Sequence, residues 1–316
     1  MKLLTFEKDG RQSVGASISE GIVDLTRALA ATHANVREAG SVLSIIQSGI
    51  DIDAIGEESL ARLRKSGDLP RYLVTGFTWL PPILRPPKIL ALALNFQEHI
   101  DETKLSFFNE PIVFEKYAVN MLPHEGEIVL PPFPQLVDEE IELAVVVGKD
   151  CRHIRPSQAR DHVFGYTICN DVSARDRQRE RARMGQPYAY AKNFDTFCPI
   201  GPWVVTKKEI PDPSNLAMEV RVNGQVRRQG NTGKMIFGVF EVLAYCSDYT
   251  QMEAGDVISL GTYAGYKELK AGDFVELEIE KIGVLRNRVV ASKDEWPNFT
   301  TDQRTGPLVK ETHTRF

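Results

Sequence analysis

The sequence predicts an α+β protein that is mostly β, with a rolled or sandwiched mixed β core behind a small α/β leader. Three observations lead there. Strand-like runs outnumber helical ones in the second part of the chain and do not alternate with them, which disfavours a doubly wound parallel sheet. The first 75 or so residues instead mix two short strand-like runs with helical periodicity. Between these regimes lies "TGFTWLPPILRPPKILALALN", whose two Pro-Pro pairs hold the chain extended and forbid a helix.

In the leader, "KLLTFEKDG" and "GIVDLT" read as strands, and residues 26–39 and 41–76 read as helical with breaks. Beyond the prolines, "KILALALN", "PIVFEKY", "EIVLPP", "IELAVVVG", "GYTICN", "GPWVVT", "AMEVRVNGQVRRQ", "DVISLGT" and "DFVELEIEKIG" are strand candidates bounded by turn residues. Asn223-Gly224 is the strongest hairpin signal, because both central residues of a type I′ turn need φ > 0. Helices are expected here in three places: after Asn95, over residues 157–162 and over residues 232–247.

With 316 residues, 42% of them hydrophobic, the chain can close a core. A net charge of −5 and a pI near 5.8 give no basic footprint for phosphates, so no nucleic acid partner is expected. The one basic stretch, residues 175–183, also holds Asp176 and Glu180. It reads either as a solvated helix face or as a lid whose arginines attract an anionic substrate. No run approaches about eighteen uncharged apolar residues, so no membrane span is expected, nor a signal peptide, and the default location is cytoplasmic. Cys151, Cys169, Cys198 and Cys246 lack CxxC spacing and are expected to be buried free thiols.

The chemistry is sought where polar groups interrupt strands. In "VDEEIELAVVVG", Glu140, Glu142, Ala144 and Val146 share one face of a strand, and Ile141, Leu143, Val145 and Val147 share the other. Carboxylates roughly 7 Å apart on one face repel each other. They are either screened by water on an exposed edge strand or, if buried, held by a cation, for which a hard ion such as Mg²⁺ is suited. Glu139 faces the other way and is not expected to be a ligand. "GYTICNDVSARDRQ" carries Asp171 at a strand end, where it either caps a turn or joins a site. "AYAKNFDTFCPIGPW" sets Lys192 among aromatic residues, where its ammonium either snorkels to water or, desolvated, polarises a carbonyl. In "LNFQEHIDETK", His99 and Glu102 are three apart and share a helix face. The pair is either a local surface contact or an oriented general base.

Taken in order, "LNFQEH..E", "DEEIELAVVVG", "GYTICNDVSARDRQ", "AKNFDTFCPIGPWVVT", "VNGQ", "GDVISLGTYAG" and "GDFVELEIEKIG" closely resemble the fumarylacetoacetate hydrolase superfamily. The resemblance covers residues 85–290 and implies a mixed β-sandwich roll there, with a small N-terminal domain over 1–80 and a polar tail over 291–316. It implies Glu140, Glu142 and Asp171 as ligands of Mg²⁺ or Mn²⁺. His99, Glu102 and Lys192 would be catalytic. Arg175, Gln178, Tyr188 and Thr262 would face the substrate, and Lys116 would support the site. The implied activity is hydrolysis of a C–C bond in a 2,4-dioxo acid such as an acylpyruvate, through a metal-stabilised enolate. Isomerisation or decarboxylation of a related 2-oxo acid, or a catalytically silent member, are the alternatives. The implied partners are that small acid and a second copy in a homodimer. The chain departs from the family pattern at Ala93, Phe96 and Tyr263, and it lacks a tryptophan over residues 179–190; these positions are expected near the substrate entry.

Overall fold

The computed structural model of the protein describes residues 1–33, 39–103, 109–134, 136–183, 185 and 188–294. The leader opens with an antiparallel meander of β1 (Lys2–Lys8), β2 (Arg11–Ile18) and β3 (Gly21–Asp24). The sequence reading leaves out β2, whose Ser13, Gly15 and Ser17 dilute its strand signal. Asp24 accepts the Arg27 N–H and so caps α1 (Leu25–Thr32). Ser41 and Asp51 do the same for α2 (Val42–Ser48) and α3 (Ile52–Ser66), each closed by a left-handed glycine, Gly49 and Gly67. β4 (Leu73–Val74) follows, and the proline-rich stretch contributes β5 (Thr78–Leu80), which pairs with β1.

The remainder runs β6 (Ile89–Ala93), α4 (Gln97–Thr103), β7 (Ile112–Glu115), β8 (Met121–Leu122), β9 (Glu127–Leu130), β10 (Val137–Asp138), β11 (Ile141–Val147) and α5 (Pro156–Ala159). Then come β12 (Val163–Asn170), β13 (Ser173–Ala174), α6 (Arg175–Arg183), α7 (Ala189–Lys192) and β14 (Cys198–Thr206). The chain continues through β15 (Ala217–Val222), β16 (Gln225–Asn231), α8 (Val239–Tyr249), β17 (Val257–Ser259), β18 (Phe274–Ile279) and β19 (Gly283–Ala291). The expected Asn223-Gly224 turn joins β15 to β16, with φ of 54° and 75°.

One long mixed sheet runs β4-β3-β2-β1-β14-β12-β11-β17-β6-β7, so the leader's meander and the main body share it through β1 and β14. A second sheet, β16-β15-β18-β19-β9, closes the sandwich. The architecture is therefore the mostly β, mixed-sheet α+β fold that the strand pattern predicts. β11 lies in the middle of it. Its Ile141, Leu143, Val145 and Val147 join Val220, Leu277 and Ile279 of the second sheet, whereas Ala144 and Val146 join Leu3, Val14 and Ile45 on the leader side. Both faces are core, which is why the run after the glutamates is uninterruptedly apolar.

Two helices exceed the three that the periodicity suggests. α6 is polar all round, a composition with no apolar stripe to read, and α7 spans only Ala189–Lys192. The third expected helix starts at Val239 rather than near 232. A single 3-10 turn, Thr232–Lys234, stands where the helix is expected to begin, and the chain between it and Val239 is tied to Asn95 instead, the Ile236 N–H donating to the Asn95 carbonyl and the Phe237 N–H to Asn95 Oδ1. All four cysteines are free and buried. Among the described residues no helix is long and apolar enough to cross a membrane. The expected tail lies outside the described residues from 295 onward.

Candidate active site

Strand register assembles the acidic cluster. β11 pairs with β12 so that Ile141 faces Asn170 and Glu142 faces Cys169. The shorter pair β10 and β13 sets Asp138 opposite Ser173. The turn residues between these ladders are tied by Glu140 N–H to Asn170 Oδ1 at 2.9 Å and Asp171 N–H to the Glu140 carbonyl at 2.9 Å. Glu140, Glu142 and Asp171 thus converge, with one oxygen of each within 4.8 Å of the others, and all three are buried. The exposed edge-strand alternative is excluded, because β11 is flanked by β12 and β17. Glu139 points away to Arg227 and Arg228, at 3.5 and 3.8 Å.

Cations compensate the cluster unevenly. Lys192 does not snorkel; it is buried at the end of α7 and its Nζ donates to Glu140 Oε2 and Asp171 Oδ2. Lys116 Nζ donates to Asp171 Oδ1 at 2.6 Å and to the carbonyls of Lys192 and Phe197 at 2.6 and 2.7 Å. Arg175 bridges Asp138, at 2.9 and 3.1 Å, and Glu140, while its Nη1 donates to Gln178 Oε1 at 2.9 Å. Burial opposes ionisation of Glu140, but Arg175, Lys192 and His99 outweigh it and hold the carboxyl well below the usual range. For Glu142 burial acts with the nearby Asp171 and Glu140 charges, and the carboxyl is pushed well above that range. Its Oε2 accepts the Gly261 N–H at 3.0 Å.

This donor set fits a hard divalent cation. It is all oxygen, anionic and buried, and the Lys192 ammonium already stands between two of its members as a monovalent cation. Among the described residues Glu142 lacks such a partner.

The imidazole comes from α4, which follows β6 after the Asn95 turn. Asn95 Nδ2 donates to the Phe237 and Leu260 carbonyls at 3.0 and 2.8 Å, pinning the turn. His99 Nδ1 then lies 3.2 Å from Glu102 Oε2, and its Nε2 lies 3.9 Å from Glu140 Oε1. Glu102 accepts the Gly265 N–H at 3.0 Å; burial opposes its charge, but the bonds from His99 and Gly265 outweigh burial and lower its pKa.

A cavity of about 470 Å³ opens over the cluster, and His99, Glu102, Arg175, Gln178, Tyr188, Lys192 and Thr262 all line it with Glu140 and Glu142. Asp171 lies beneath that lining, held by Lys116 and Lys192. Thr262 is the informative member. Its hydroxyl is buried without a hydrogen-bond partner among the described residues, so it has a bond to offer to whatever enters. Sequence reasoning missed Asp138, Ser173, Arg179 and Tyr266. Asp138 stood unused in the acidic run, and Arg179 was one of five arginines between 175 and 183 without means to single it out; nothing pointed to Tyr266.

One expectation needs correction. Phe96 and Tyr263 lie in the core rather than at the substrate entry. Their rings pack edge to face at 5.9 Å, and Tyr263 Oη donates to the Met218 carbonyl at 3.3 Å. Gly230 makes the room, since a Cβ there would stand 2.4 Å from the tyrosine ring.

Residues 88–290 match the family model described as fumarylacetoacetate (FAA) hydrolase C-terminal. The chain belongs to the fumarylacetoacetate hydrolase superfamily. Among its relatives, a human mitochondrial oxaloacetate tautomerase is 42% identical over 239 residues, covering 73% of this chain and 76% of the relative. Two solved members of the family's fold match nearly end to end. The fumarylacetoacetate hydrolase from psychrophilic Exiguobacterium antarcticum is 32% identical with a TM-score of 0.75, over 92% of this chain and 100% of that one. The maleylpyruvate hydrolase from Sphingobium sp. SYK-6, solved with manganese(II) and pyruvate, is 25% identical with a TM-score of 0.73, over 93% and 100%.

Proposed function

We propose that the protein is a divalent-metal-dependent keto–enol tautomerase of a small 2-oxo acid. The observation that carries this reading is the convergence of an imidazole on a buried three-carboxylate cluster, with His99 Nε2 3.9 Å from Glu140 Oε1. The 42% identity to the human mitochondrial oxaloacetate tautomerase supports it. Glu140, Glu142 and Asp171 would hold Mg²⁺ or Mn²⁺, which supplies Lewis-acid polarisation of the 2-oxo carboxylate when bound.

The chain's own groups carry the proton. His99, oriented through Nδ1 by Glu102, takes a proton at Nε2 from the carbon beside the 2-oxo group and returns one to the oxygen, so that a C–H bond is exchanged for an O–H bond without redox change. Burial lowers the Lys192 pKa, but Asp171 and Glu140 outweigh it and raise the pKa, so Lys192 remains an ammonium and a neighbour for developing negative charge rather than a base. Thr262 donates its spare hydroxyl to the substrate carboxylate, and Gln178 and Tyr188 bound the space around it.

A second reading is C–C hydrolysis of a 2,4-dioxo acid, favoured by the same dyad, because an imidazole oriented by Glu102 can equally deprotonate water. The similarity to the maleylpyruvate hydrolase supports it. Decarboxylation of a 2-oxo acid needs the cation more than the dyad. The reading includes a cytoplasmic homodimer, to be checked by sedimentation and cell fractionation.

The test is a panel of 2-oxo and 2,4-dioxo acids with Mg²⁺ or Mn²⁺, following enol absorbance, cleavage products and CO₂ separately. Tautomerisation is expected to vanish on chelation and in His99→Ala with the ion still bound. Unchanged tautomerisation in that variant removes His99 from the role; cleavage without tautomerisation replaces the first reading by the second.

A further inference from the structure

The deep and outer halves of the cavity differ in charge. At the deep end and just beneath it, Asp138, Glu140, Glu142 and Asp171 face Lys116, Arg175 and Lys192, and among the described residues every one of these charges has an opposite partner beside it except Glu142. The outer wall is formed by α6, which brings Arg179 and Arg183 to the cavity. Neither has a carboxylate partner among the described residues: the helix's own Glu180 is taken by Arg177 at 2.9 Å.

Arg179 is nevertheless fixed. Its Nη2 donates to Tyr266 Oη, and its guanidinium lies over the Tyr266 ring, 5.2 Å from the centroid. The same ring meets the buried Arg175 guanidinium at 5.5 Å. Tyr266 therefore stands between the arginine that binds Glu140 and the arginine at the mouth. An exposed arginine ordinarily spends its charge on water and keeps its rotamer freedom. This one is held on an aromatic platform, and its further N–H groups have no partner among the described residues, the state that lowers the entropic cost of gripping an anion.

We propose that Arg179, braced by Tyr266, is a specificity-determining residue that binds a second carboxylate at the far end of the substrate, making the 2-oxo acid a dicarboxylate. The inference deepens the tautomerase reading and rests on it for the site, but its test is binding. A guanidinium offers a carboxylate two parallel charge-assisted bonds, which a methyl group cannot accept.

Oxaloacetate and 2-oxobutanoate have four carbons each and differ by a terminal carboxylate against a methyl, so they isolate the contact. Titration calorimetry of the full chain with Mg²⁺ is expected to give oxaloacetate roughly 10- to 100-fold tighter binding than 2-oxobutanoate. In Arg179→Met that ratio falls to about one to three. Arg179→Lys, which keeps charge but loses the fork, gives an intermediate ratio, as does Tyr266→Phe, which keeps the ring but loses the hydroxyl. A ratio retained in Arg179→Met, or equal binding of the two acids by the unaltered chain, overturns the proposal. If the ratio behaves as expected while no tautomerisation is found, the clamp stands and the reaction assignment falls; if tautomerisation is found and the ratio ignores Arg179, the reverse holds.

Discussion

Replacing Lys116 with methionine tests whether the acidic cluster is held by its buried cations. The Lys116 side chain is fully buried, and its ammonium makes three bonds, at 2.6, 2.6 and 2.7 Å, to Asp171 Oδ1 and the carbonyls of Lys192 and Phe197. Methionine refills most of the aliphatic volume, so the cavity contribution is small. What is lost is the partner of a buried carboxylate, worth about 3–5 kcal/mol on removal, and the donor to two carbonyls, about 1 kcal/mol or more each. These losses centre on one atom and do not add fully, so about 4 kcal/mol is expected. That is a large share of an ordinary total stability of about 5–15 kcal/mol. It corresponds to a fall in Tm of about 8 °C at roughly 2 °C per kcal/mol for a chain of this size. Urea and thermal unfolding measure it, each with EDTA and with excess Mg²⁺. The ion restores positive charge beside Asp171, so the loss should be smaller with Mg²⁺ than with EDTA. A loss below about 1 kcal/mol under both conditions would refute the reasoning, since Asp171 would then not depend on Lys116.

The other expectations address the ligand set, the spare hydroxyl and a remote histidine. Glu142→Gln should weaken Mn²⁺ binding by about 100-fold or more, whereas Glu139→Gln, on the Arg227 and Arg228 side, should change it by no more than about threefold; electron paramagnetic resonance titration compares them, and the opposite order would mean the strand register is misassigned. Thr262→Val removes a buried hydroxyl that bonds nothing within the described chain, so stability should move by no more than about 0.5 kcal/mol while kcat/KM falls roughly tenfold; a loss of stability with intact activity would assign the hydroxyl to the fold. Burial, with the charge of Arg286 behind it, pushes His124 down to about 4, and its ring nitrogen accepts the Arg286 N–H at 3.1 Å. The unfolded chain, with an ordinary histidine near 6.5, binds the proton first. The histidine's contribution is therefore intact above about pH 6.5 and is lost as pH falls toward 4, by at most about 3 kcal/mol. Unfolding free energies of His124→Asn across that window should fall less steeply than those of the unaltered chain, and parallel slopes would exclude the ring.

The sequence exposes the parts of this molecule in which local pattern and burial agree. The alternation of Glu140 and Glu142 against Ile141 and Leu143 is visible because β11 separates two cores, and each face draws its own residue type. The Asn223-Gly224 turn is visible because it needs φ > 0 twice. Where long-range contacts override local signal, the pattern is silent. β2 is a strand by virtue of its neighbours β1 and β3, not of its serines. α6 carries no apolar stripe, because its buried residue, Arg175, is stabilised by Asp138 and Glu140 rather than by a core. Tyr263 could be placed only with Gly230, more than thirty residues earlier in the chain, as its counterpart.

The same register that builds the fold selects the carboxylates that converge. A slip of one residue between β11 and β12 would turn every side chain of β11 to the opposite face. Glu142 would enter the layer now filled by Leu143, Val145 and Leu277, and Leu143 would enter the carboxylate cluster. An uncompensated carboxylate buried among aliphatic residues costs several kcal/mol, and a leucine among carboxylates removes one of the three proposed ligands. The irregularity in this ladder falls between Val146 and Val147, at the end away from the glutamates, so the pairing beside Glu142 stays regular. The apolar continuation of the strand thus does more than fill the core: by making the slipped register unfavourable on both faces, it fixes which two of the three neighbouring glutamates, Glu139, Glu140 and Glu142, meet Asp171.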